Sequence, residues 1–376
     1  MATTANPLRI QELLDRFIGF LSDSDPDLRS CALVNRAWVH ASQSHLFSTI
    51  KLYRASVSAA SLPRTSSRLL EILEASPHLV RVIVTLHLDS IVGPENFFSF
   101  CGLPYMRLAD LRIYGIIDLP SDREVSALRQ LLGVPTIESL HNSGDFPDTS
   151  QFLKVWEGCS STIRDLQLCV RAREPPAPDP PSDALHHRIK VESLELYYHN
   201  AFQWWFDHIQ CPFDFAGVRQ LSFMPFLGMV SRNLSQAFMT VEVLNLLDIG
   251  FAQGGDLSVF ERVVDVKMYL SEPSWALNAL RTLPPQNHIQ TIRFLLMSDF
   301  PNVPEDQEPY LEFDRAFSML SFPNLRVVHM DVPLPVSAMN GGPETHFPSL
   351  SASGILHWDF QPSRYGLRPV DAEEDG

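Results

Sequence analysis

The stretch VRQLSFMPFLGMVSRNLSQAFMTVEVLNL, residues 218–246, contains two copies of one six-residue pattern whose first, fourth and sixth residues are apolar. The copies begin at Val218 and at Val241. Side chains alternate across a β-strand, so the fourth and sixth residues of each copy face the same way. The first residue can turn into the same core as the chain enters the strand. Each copy therefore predicts a short strand with one buried face.

The pattern recurs along most of the chain. With the two copies above included, it begins at Ile83, Leu108, Ile137, Ile163, Val191, Val218, Val241, Val263, Ile289 and Leu325. Successive copies are 22 to 29 residues apart, except for a last interval of 36 residues. This period is typical of leucine-rich repeats, in which each unit contributes one strand and one helix. One unit cannot cover its own apolar face, so neighbouring units must stack.

The intervals between the copies predict helices. Apolar residues spaced by three and four form one stripe on a helix, and they do so at 65–75, 122–132, 201–209, 275–283 and 310–320. Strands and helices in alternation predict parallel strands. The predicted fold class is α/β, with a curved parallel sheet in a solenoid of degenerate leucine-rich repeats. Another kind of α/β domain is the alternative.

The copies also depart from the usual repeat. The copy at Ile137 has Asn142 where its last apolar residue belongs. The Asn or Cys that usually lies three places beyond the strand is replaced by Arg171, His199, Phe226, Ile249 and Met297. Regular spacing, rather than the number of matches, therefore supports the prediction.

The N-terminal segment predicts three short amphipathic helices. Asn6-Pro7 and Asp25-Pro26 each fit a helix cap followed by a first-turn proline, and a third helix starts near Arg36. The residues at helical spacing are Leu13, Leu14, Phe17, Ile18 and Leu21, then Leu28, Cys31, Ala32 and Asn35, then Trp38, Ala41 and Leu46. Three helices this short form a small core, so a partner that buries part of their surface is expected.

Residues 12–52, ELLDRFIGFLSDSDPDLRSCALVNRAWVHASQSHLFSTIKL, resemble an F-box in the form common among fungal F-box proteins. The resemblance is carried by Glu12-Leu13-Leu14, Ile18, Leu21, Asp27-Leu28-Arg29, Leu33-Val34, Arg36, Trp38 and His45-Leu46-Phe47. The stretches LHLDS at 86–90 and FPSLSASGIL at 347–356 are similar to segments of the same family. One departure is that Arg9 and Ile10 occupy the places where F-boxes usually have Leu-Pro.

The resemblance implies a substrate-recognition subunit of an SCF-type ubiquitin ligase. The F-box, residues 1–55, is expected to dock a Skp-type adaptor and through it a cullin, and the repeats, residues 56–360, to hold an unknown client protein. Residues 361–376 are expected to be an acidic, disordered tail. The residues expected to bind the adaptor are Leu13, Leu14, Ile18, Leu33, Val34 and Trp38. Some of the six must instead pack the helices together, and the sequence cannot separate the two sets.

Composition limits the other partners. The formal net charge is -15 and no run of Lys and Arg appears, so neither nucleic acid nor an anionic membrane is expected to bind. The five cysteines lie at no metal-ligand spacing, and no secretory signal precedes the first helix. The expectation is an intracellular protein, cytoplasmic or nuclear, without a cofactor or metal.

The motifs of common enzymes are missing. The sequence has no G-x-G-x-x-G, no phosphate-binding loop, no G-x-S-x-G and no H-E-x-x-H. His186-His187 is the only adjacent histidine pair, and a shared metal is not expected there because neighbouring side chains point in different directions. His199 and His208 flank Trp204-Trp205, which are expected to be core or rim residues rather than a ligand cage. The chain is therefore not expected to be an enzyme. Two alternatives stay open: an interaction scaffold that does not bind the adaptor, and an α/β enzyme whose catalytic residues meet only in space.

Two loops stand out between the copies. The stretch EPPAPDPPS, residues 174–182, can be neither a regular helix nor a central strand, so it is expected to be an insertion between two strands, or else a domain hinge. Residues 299–314 contain six acidic residues and no basic residue, and are expected to be a solvated loop or, alternatively, a rim that binds the client.

Overall fold

The computed structural model describes residues 11–53, 62–115, 121–146, 154–172, 188–197, 203–207, 211–223, 232–247, 256–270, 273–296, 308–332 and 343–360. The helices are α1 (Gln11–Gly19), α2 (Asp25–Val34), α3 (Arg36–Leu46), α4 (Leu62–Ala75), α5 (Pro77–Val80), α6 (Pro94–Cys101), α7 (Asp122–Leu132), α8 (Gln203–Asp207), α9 (Arg232–Phe238), α10 (Pro273–Arg281), α11 (Glu308–Ser318), α12 (Pro343–His346) and α13 (Pro348–Ala352). The strands are β1 (Thr49–Leu52), β2 (Thr85–Asp89), β3 (Asp110–Tyr114), β4 (Ser139–Phe146), β5 (Asp165–Ala172), β6 (Ile189–Lys190), β7 (Ser193–Leu196), β8 (Phe213–Asp214), β9 (Gln220–Phe223), β10 (Val243–Leu246), β11 (Asp265–Leu270), β12 (Thr291–Leu296), β13 (Val327–Val332) and β14 (Leu356–Phe360).

Twelve of these strands form one large parallel sheet. Their order is β1-β2-β3-β4-β5-β7-β9-β10-β11-β12-β13-β14, while β6 and β8 pair with each other. Each of the ten apolar patterns leads into one strand of the large sheet, from β2 after Ile83 to β13 after Leu325. The α/β class and the parallel arrangement are therefore confirmed.

The strand register stacks the fourth residue of each pattern on the fourth residue of the next. In the first part of the sheet the stacked residues are Leu86, Leu111, Leu140 and Leu166. In the later part they are Leu194, Leu221, Leu244, Val266, Ile292 and Val328. All ten are at most 2% exposed. Burial of one such side chain contributes about 1.5–3 kcal/mol, so the two rows are a main source of stability.

A backbone motif marks the start of each repeat. The carbonyl of Val84 accepts hydrogen bonds from the N–H groups of Ala109 and Asp110, at 2.8 and 3.1 Å. Among the described residues the same two-donor arrangement recurs at the carbonyls of Ser48, Val84, Ala109, Glu138, Glu192, Arg219, Glu242, Val264 and Gln290. Eight of these residues directly follow the first residue of one of the ten patterns. The ninth, Ser48, follows Phe47, which with Ile50 and Leu52 forms an eleventh copy that the sequence analysis missed.

The chain divides into two compact units. One comprises residues 1–191 with 204–214, and the other residues 192–203 with 215–376. The first unit thus contains both the three N-terminal helices and β1 to β5. The predicted boundary at residue 55 lies beyond β1, which already pairs with β2. Residues 361–376, the expected tail, lie outside the described residues.

The predicted helices agree closely with those found. The helix predicted at 122–132 has these bounds, and those predicted at 65–75, 275–283 and 310–320 begin two or three residues earlier. Of the helix predicted at 201–209, residues 203–207 are described and helical. At the N-terminus the cap of α2 is Ser24 rather than Asp25, and Asn35 caps α3 by accepting a 2.7 Å hydrogen bond from the N–H of Ala37.

The sequence predicts a solvated loop at 299–314. Its described residues, 308–314, instead belong to α11. Asp314 is fully buried, not solvated. Its carboxylate accepts hydrogen bonds from the N–H groups of Ser349 and Leu350, at 2.8 and 3.0 Å. Asp314 therefore ties α11 to the first turn of α13. Residues 299–307 and the proline-rich stretch 174–182 lie outside the described residues.

Candidate functional site

The three N-terminal helices share a small core. Ile18, Leu28, Cys31 and Ala41 are buried together, and Leu21, Trp38 and Leu46 pack against them. These residues come from all three helices, at the spacings of three and four that place them on one face of each helix. The core accounts for only part of the apolar residues in this segment.

Several other apolar side chains of this segment face outward. Leu13 is 46% exposed, Phe17 49% and Phe20 89%, and their spacing of four and three places them on one side of α1 and its last turn. Leu33 and Val34, at the end of α2, are 87% and 62% exposed. Ten large apolar side chains are exposed among the described residues, and five of them lie between residues 13 and 34. Such a concentration is typical of a surface that binds a partner.

The six residues expected to bind the adaptor separate into two sets. Leu13, Leu33 and Val34 are exposed. Leu14 and Ile18 are only 1% and 0% exposed, so they hold the chain's own core and do not offer a contact surface. Trp38 is half-buried and packs edge-on against Phe17, with ring centroids 5.5 Å apart.

The sequence analysis missed Phe17 and Phe20 as surface residues. The signal is in the spacing. Leu13, Phe17 and Phe20 are spaced by four and three residues, as are Leu14, Ile18 and Leu21 one position further along.

A second surface is formed by the side chains that alternate with the apolar rows of the sheet. In the first unit, the strand register aligns one polar residue from each of β1 to β5: Lys51, His87, Arg112, His141 and Gln167. Neighbouring strands lie about 4.8 Å apart, so these side chains are adjacent. We call them the polar row.

Two tyrosines join the polar row. The ring of Tyr53 lies 5.6 Å from that of His87 and 5.7 Å from that of Tyr114, centroid to centroid. The ring of Tyr114 lies 5.0 Å from that of His141. Four rings from β2, β3, β4 and the residue after β1 are thus in continuous contact on the polar face of the sheet.

An ion pair lies at the centre of this surface. The Nε of Arg112 donates to both carboxylate oxygens of Asp110 at 3.3 Å, and Nη2 lies 3.3 Å from Oδ2. The Nε2 of His87 is 3.9 Å from the same oxygen. Burial alone would raise the pKa of Asp110, but its contacts with His87 and Arg112 outweigh burial and lower it. Asp110 is therefore a stable anion that holds Arg112 in place.

The two histidines are short of hydrogen-bond partners. His87 is 6% exposed, and within the described part of the chain neither of its ring nitrogens has a hydrogen-bond partner. The Nδ1 of His141 is likewise buried and unpaired there. Burial lowers the pKa of His141, although a hydrogen bond with Gln167 opposes the shift, so this ring is neutral at pH 7. Buried polar atoms normally have a partner, so these nitrogens need an explanation.

The second unit has a related row. The register aligns Lys267, Arg293, His329 and His357 on β11 to β14. The Nε of Arg293 lies 3.8 Å from Oδ2 of Asp331, which is 5% exposed. Arg293 is thus paired with a carboxylate, as Arg112 is. The carboxylate of Asp110 comes from the same strand as Arg112, whereas Asp331 lies on the neighbouring strand, two residues beyond His329, the register partner of Arg293.

The described residues offer little chemistry of the kinds sought in the sequence. Burial raises the pKa of Cys211 to about 12 and raises those of Cys101 and Cys159 further, so these thiols are poor nucleophiles. Among the described residues no group of three or more His, Cys, Asp or Glu is placed to hold a metal ion. Trp205 is fully buried, with its ring 5.4 Å from that of Trp156, and so belongs to the core. His186, His187, His199 and His208 lie outside the described residues.

No helix in the described part of the chain is long and apolar enough to cross a membrane. No model of a known protein family matches the sequence, and no curated protein matches it either. The F-box and the leucine-rich repeats therefore stay predictions, which rest on the residues that carry the resemblance.

Proposed function

We propose that this chain is the substrate-recognition subunit of an SCF-type ubiquitin ligase inside the cell. The observation that carries the proposal is the exposure of five large apolar side chains, Leu13, Phe17, Phe20, Leu33 and Val34, on the helices that resemble an F-box. Full burial of one such side chain contributes about 1.5–3 kcal/mol, so a partner that covers several gains substantial affinity. The proposed partner is a Skp-type adaptor, which links the chain to a cullin.

The parallel sheet supplies the second half of the proposed function. A row of repeats exposes one side chain per strand at regular spacing, and such a surface suits the binding of another protein. The proposed client binds there and is held close to the ubiquitin-loaded enzyme. The chain acts by raising the effective concentration of the client and carries out no bond chemistry itself.

The test of the proposal is capture of a Skp-type adaptor by the full-length chain. Leu33→Asp places a charge at a side chain that is 87% exposed, so it should leave the fold intact and reduce capture by about tenfold or more. Met319→Asp is the matched control. Met319 is nearly as exposed as Leu33, at 85%, but it directly follows α11, far along the sequence from the three N-terminal helices. It should capture the adaptor as the unmodified chain does.

Two results would contradict the proposal. One is full capture by Leu33→Asp together with full capture by Leu13→Asp. The other is failure of the unmodified, folded chain to capture any adaptor. The second result would favour the interaction scaffold, for which the Arg9-Ile10 departure from the usual Leu-Pro is the specific motive.

A further inference from the structure

The large sheet ends differently at its two edge strands, β1 and β14. At β1 the apolar residues Ile50 and Leu52 are only 5% and 4% exposed. At β14 the corresponding residues, Leu356 and Trp358, are partly exposed, although their register partners on β13 are at most 1% exposed. Among the described residues no strand lies beyond β14. Repeat proteins need a cover over their last unit, and here the apolar rows are left partly open.

The backbone of β14 has hydrogen-bonding groups on its outer side. The carbonyl of Ile355 accepts a 2.8 Å hydrogen bond from the N–H of Val328 on β13, so this carbonyl points inward. Backbone groups point to alternate sides along a strand, so those of Leu356, Trp358 and Phe360 point away from β13. Natural proteins often protect such an edge with lysine or proline, and the sequence of β14, LHWDF, contains neither.

We propose that the β14 strands of two copies of this chain pair antiparallel and join the copies into a dimer. In the proposed register a twofold axis lies beside Trp358, so the two copies of Trp358 are opposite each other and Leu356 is opposite Phe360. These are the three residues whose backbone groups point outward. Their N–H and carbonyl groups therefore all find partners in the second copy.

The same register brings complementary residues together. His357 of one copy lies opposite Asp359 of the other, and this is a non-hydrogen-bonded pair, in which the two Cα atoms are only about 4.5 Å apart. An axis beside Asp359 would place two carboxylates opposite each other, and like charges in that position are destabilising. An axis beside His357 would place Asp359 opposite the apolar Ile355. Charge complementarity therefore favours a second copy of the chain in this one register.

Other occupants fit this edge less well. Residues 361–376 follow β14 directly, but they include Pro362 and Pro369, and proline cannot donate a hydrogen bond to a strand ladder. Pairing of β14 with β1 of another copy would continue without closing. The apolar residues of β1 are also covered already. The twofold pairing closes at two copies, and it does not depend on the proposed function.

Analytical ultracentrifugation of the full-length chain tests the dimer. Between about 1 and about 100 µM protein, we expect the average mass to rise from that of one 42.5 kDa chain towards that of two. The buffer contains about 150 mM sodium chloride, which shortens the screening length to about 8 Å. Salt is needed because each copy carries a net charge of -15.

His357→Asp should raise the dissociation constant of the dimer by about tenfold or more, because it places a carboxylate opposite Asp359 and the twofold axis repeats the change. His357 is exposed, so the fold should be kept. Met319→Asp is the matched control, since it adds a charge at a side chain that is 85% exposed and away from β14, and it should dimerise as the unmodified chain does. The double variant His357→Asp/Asp359→His exchanges the two residues and should restore the dimer.

Four results would overturn the inference. They are a chain that stays monomeric at every concentration, growth beyond two copies, a folded His357→Asp chain with unchanged dimerisation, and a folded double variant that does not recover. Circular dichroism and the melting temperature of each variant establish that it is folded.

Discussion

Asn142 is the residue at which the repeat pattern is broken. The register places it between Ile113 and Leu168, in the second apolar row of the sheet. It is fully buried, and neither polar atom of its side chain has a hydrogen-bond partner in the described structure. A buried polar group without a partner costs about 1–3 kcal/mol of stability.

Replacement of Asn142 by Leu should therefore stabilise the chain. Leu has a similar volume and matches its two neighbours in the row, so the free energy of unfolding should rise by about 1–3 kcal/mol in chemical denaturation. Asn245→Leu is the control, because Asn245 donates a 2.8 Å hydrogen bond to Ser222 and lies on the polar face. It should not stabilise. Loss of stability in Asn142→Leu would mean that the buried amide has a partner after all.

At the scale of elements, three threonines connect successive repeats. Thr136, Thr162 and Thr240 each directly precede the first residue of a pattern. Their hydroxyls donate to the carbonyls of Leu108, Ile137 and Val218, at 2.8, 2.7 and 2.8 Å. Each acceptor is the first residue of the preceding copy. These bonds join neighbouring repeats at the start of the strand, whereas the usual Asn or Cys beyond the strand is missing.

Thr136→Val tests this connection. Val keeps the branched shape but loses the hydroxyl, so the carbonyl of Leu108 loses a donor and the free energy of unfolding should fall by about 1 kcal/mol. Thr136→Ser retains the donor and should recover most of the loss. The role of the hydroxyl would be disproved if Val and Ser variants unfolded at the same denaturant concentration.

Strands and helices differ in how far the sequence could predict their exposure. A strand has only two faces, so the alternation of Ile292 and Phe294, both fully buried, with the polar Thr291 and Arg293 is enough to predict the buried side. Helix α1 has apolar residues on two faces at once, because Leu13 and Leu14 begin two stripes with the same spacing. Packing against α3, and the core that Ile18 shares with residues of α2 and α3, select the stripe of Leu14 and Ile18 for burial. That selection depends on the orientation of three helices, which local spacing does not contain.

The polar row could not be predicted for a related reason. His87, Arg112 and His141 are far apart in sequence and meet only because the parallel register aligns them. The pattern predicted that each residue faces away from the core, but not which strand positions are paired. The Phe47 copy, in contrast, was visible in the sequence and was missed because it overlaps the stretch that resembles an F-box.

At the scale of the whole molecule, the net charge of -15 makes the free energy of unfolding depend on salt concentration. Excess charge of one sign destabilises a compact chain by self-repulsion, and salt screens that repulsion. Salt also weakens ion pairs, but the pairs Arg29–Asp25, Arg68–Glu71, Arg129–Glu157 and Lys154–Asp122 are about half exposed or more. Exposed pairs contribute about 0–1 kcal/mol each, so relief of repulsion should exceed their loss.

The melting temperature at pH 7 should therefore rise when sodium chloride is raised from about 20 to about 200 mM, which shortens the screening length to roughly 7 Å. The control is the same pair of measurements near pH 5.3, the isoelectric point, where the net charge vanishes. There the increase should shrink or disappear, because no net repulsion is left to screen. A melting temperature that falls with salt at pH 7 would show that attractive pairs, rather than the overall charge, dominate the electrostatic contribution to stability.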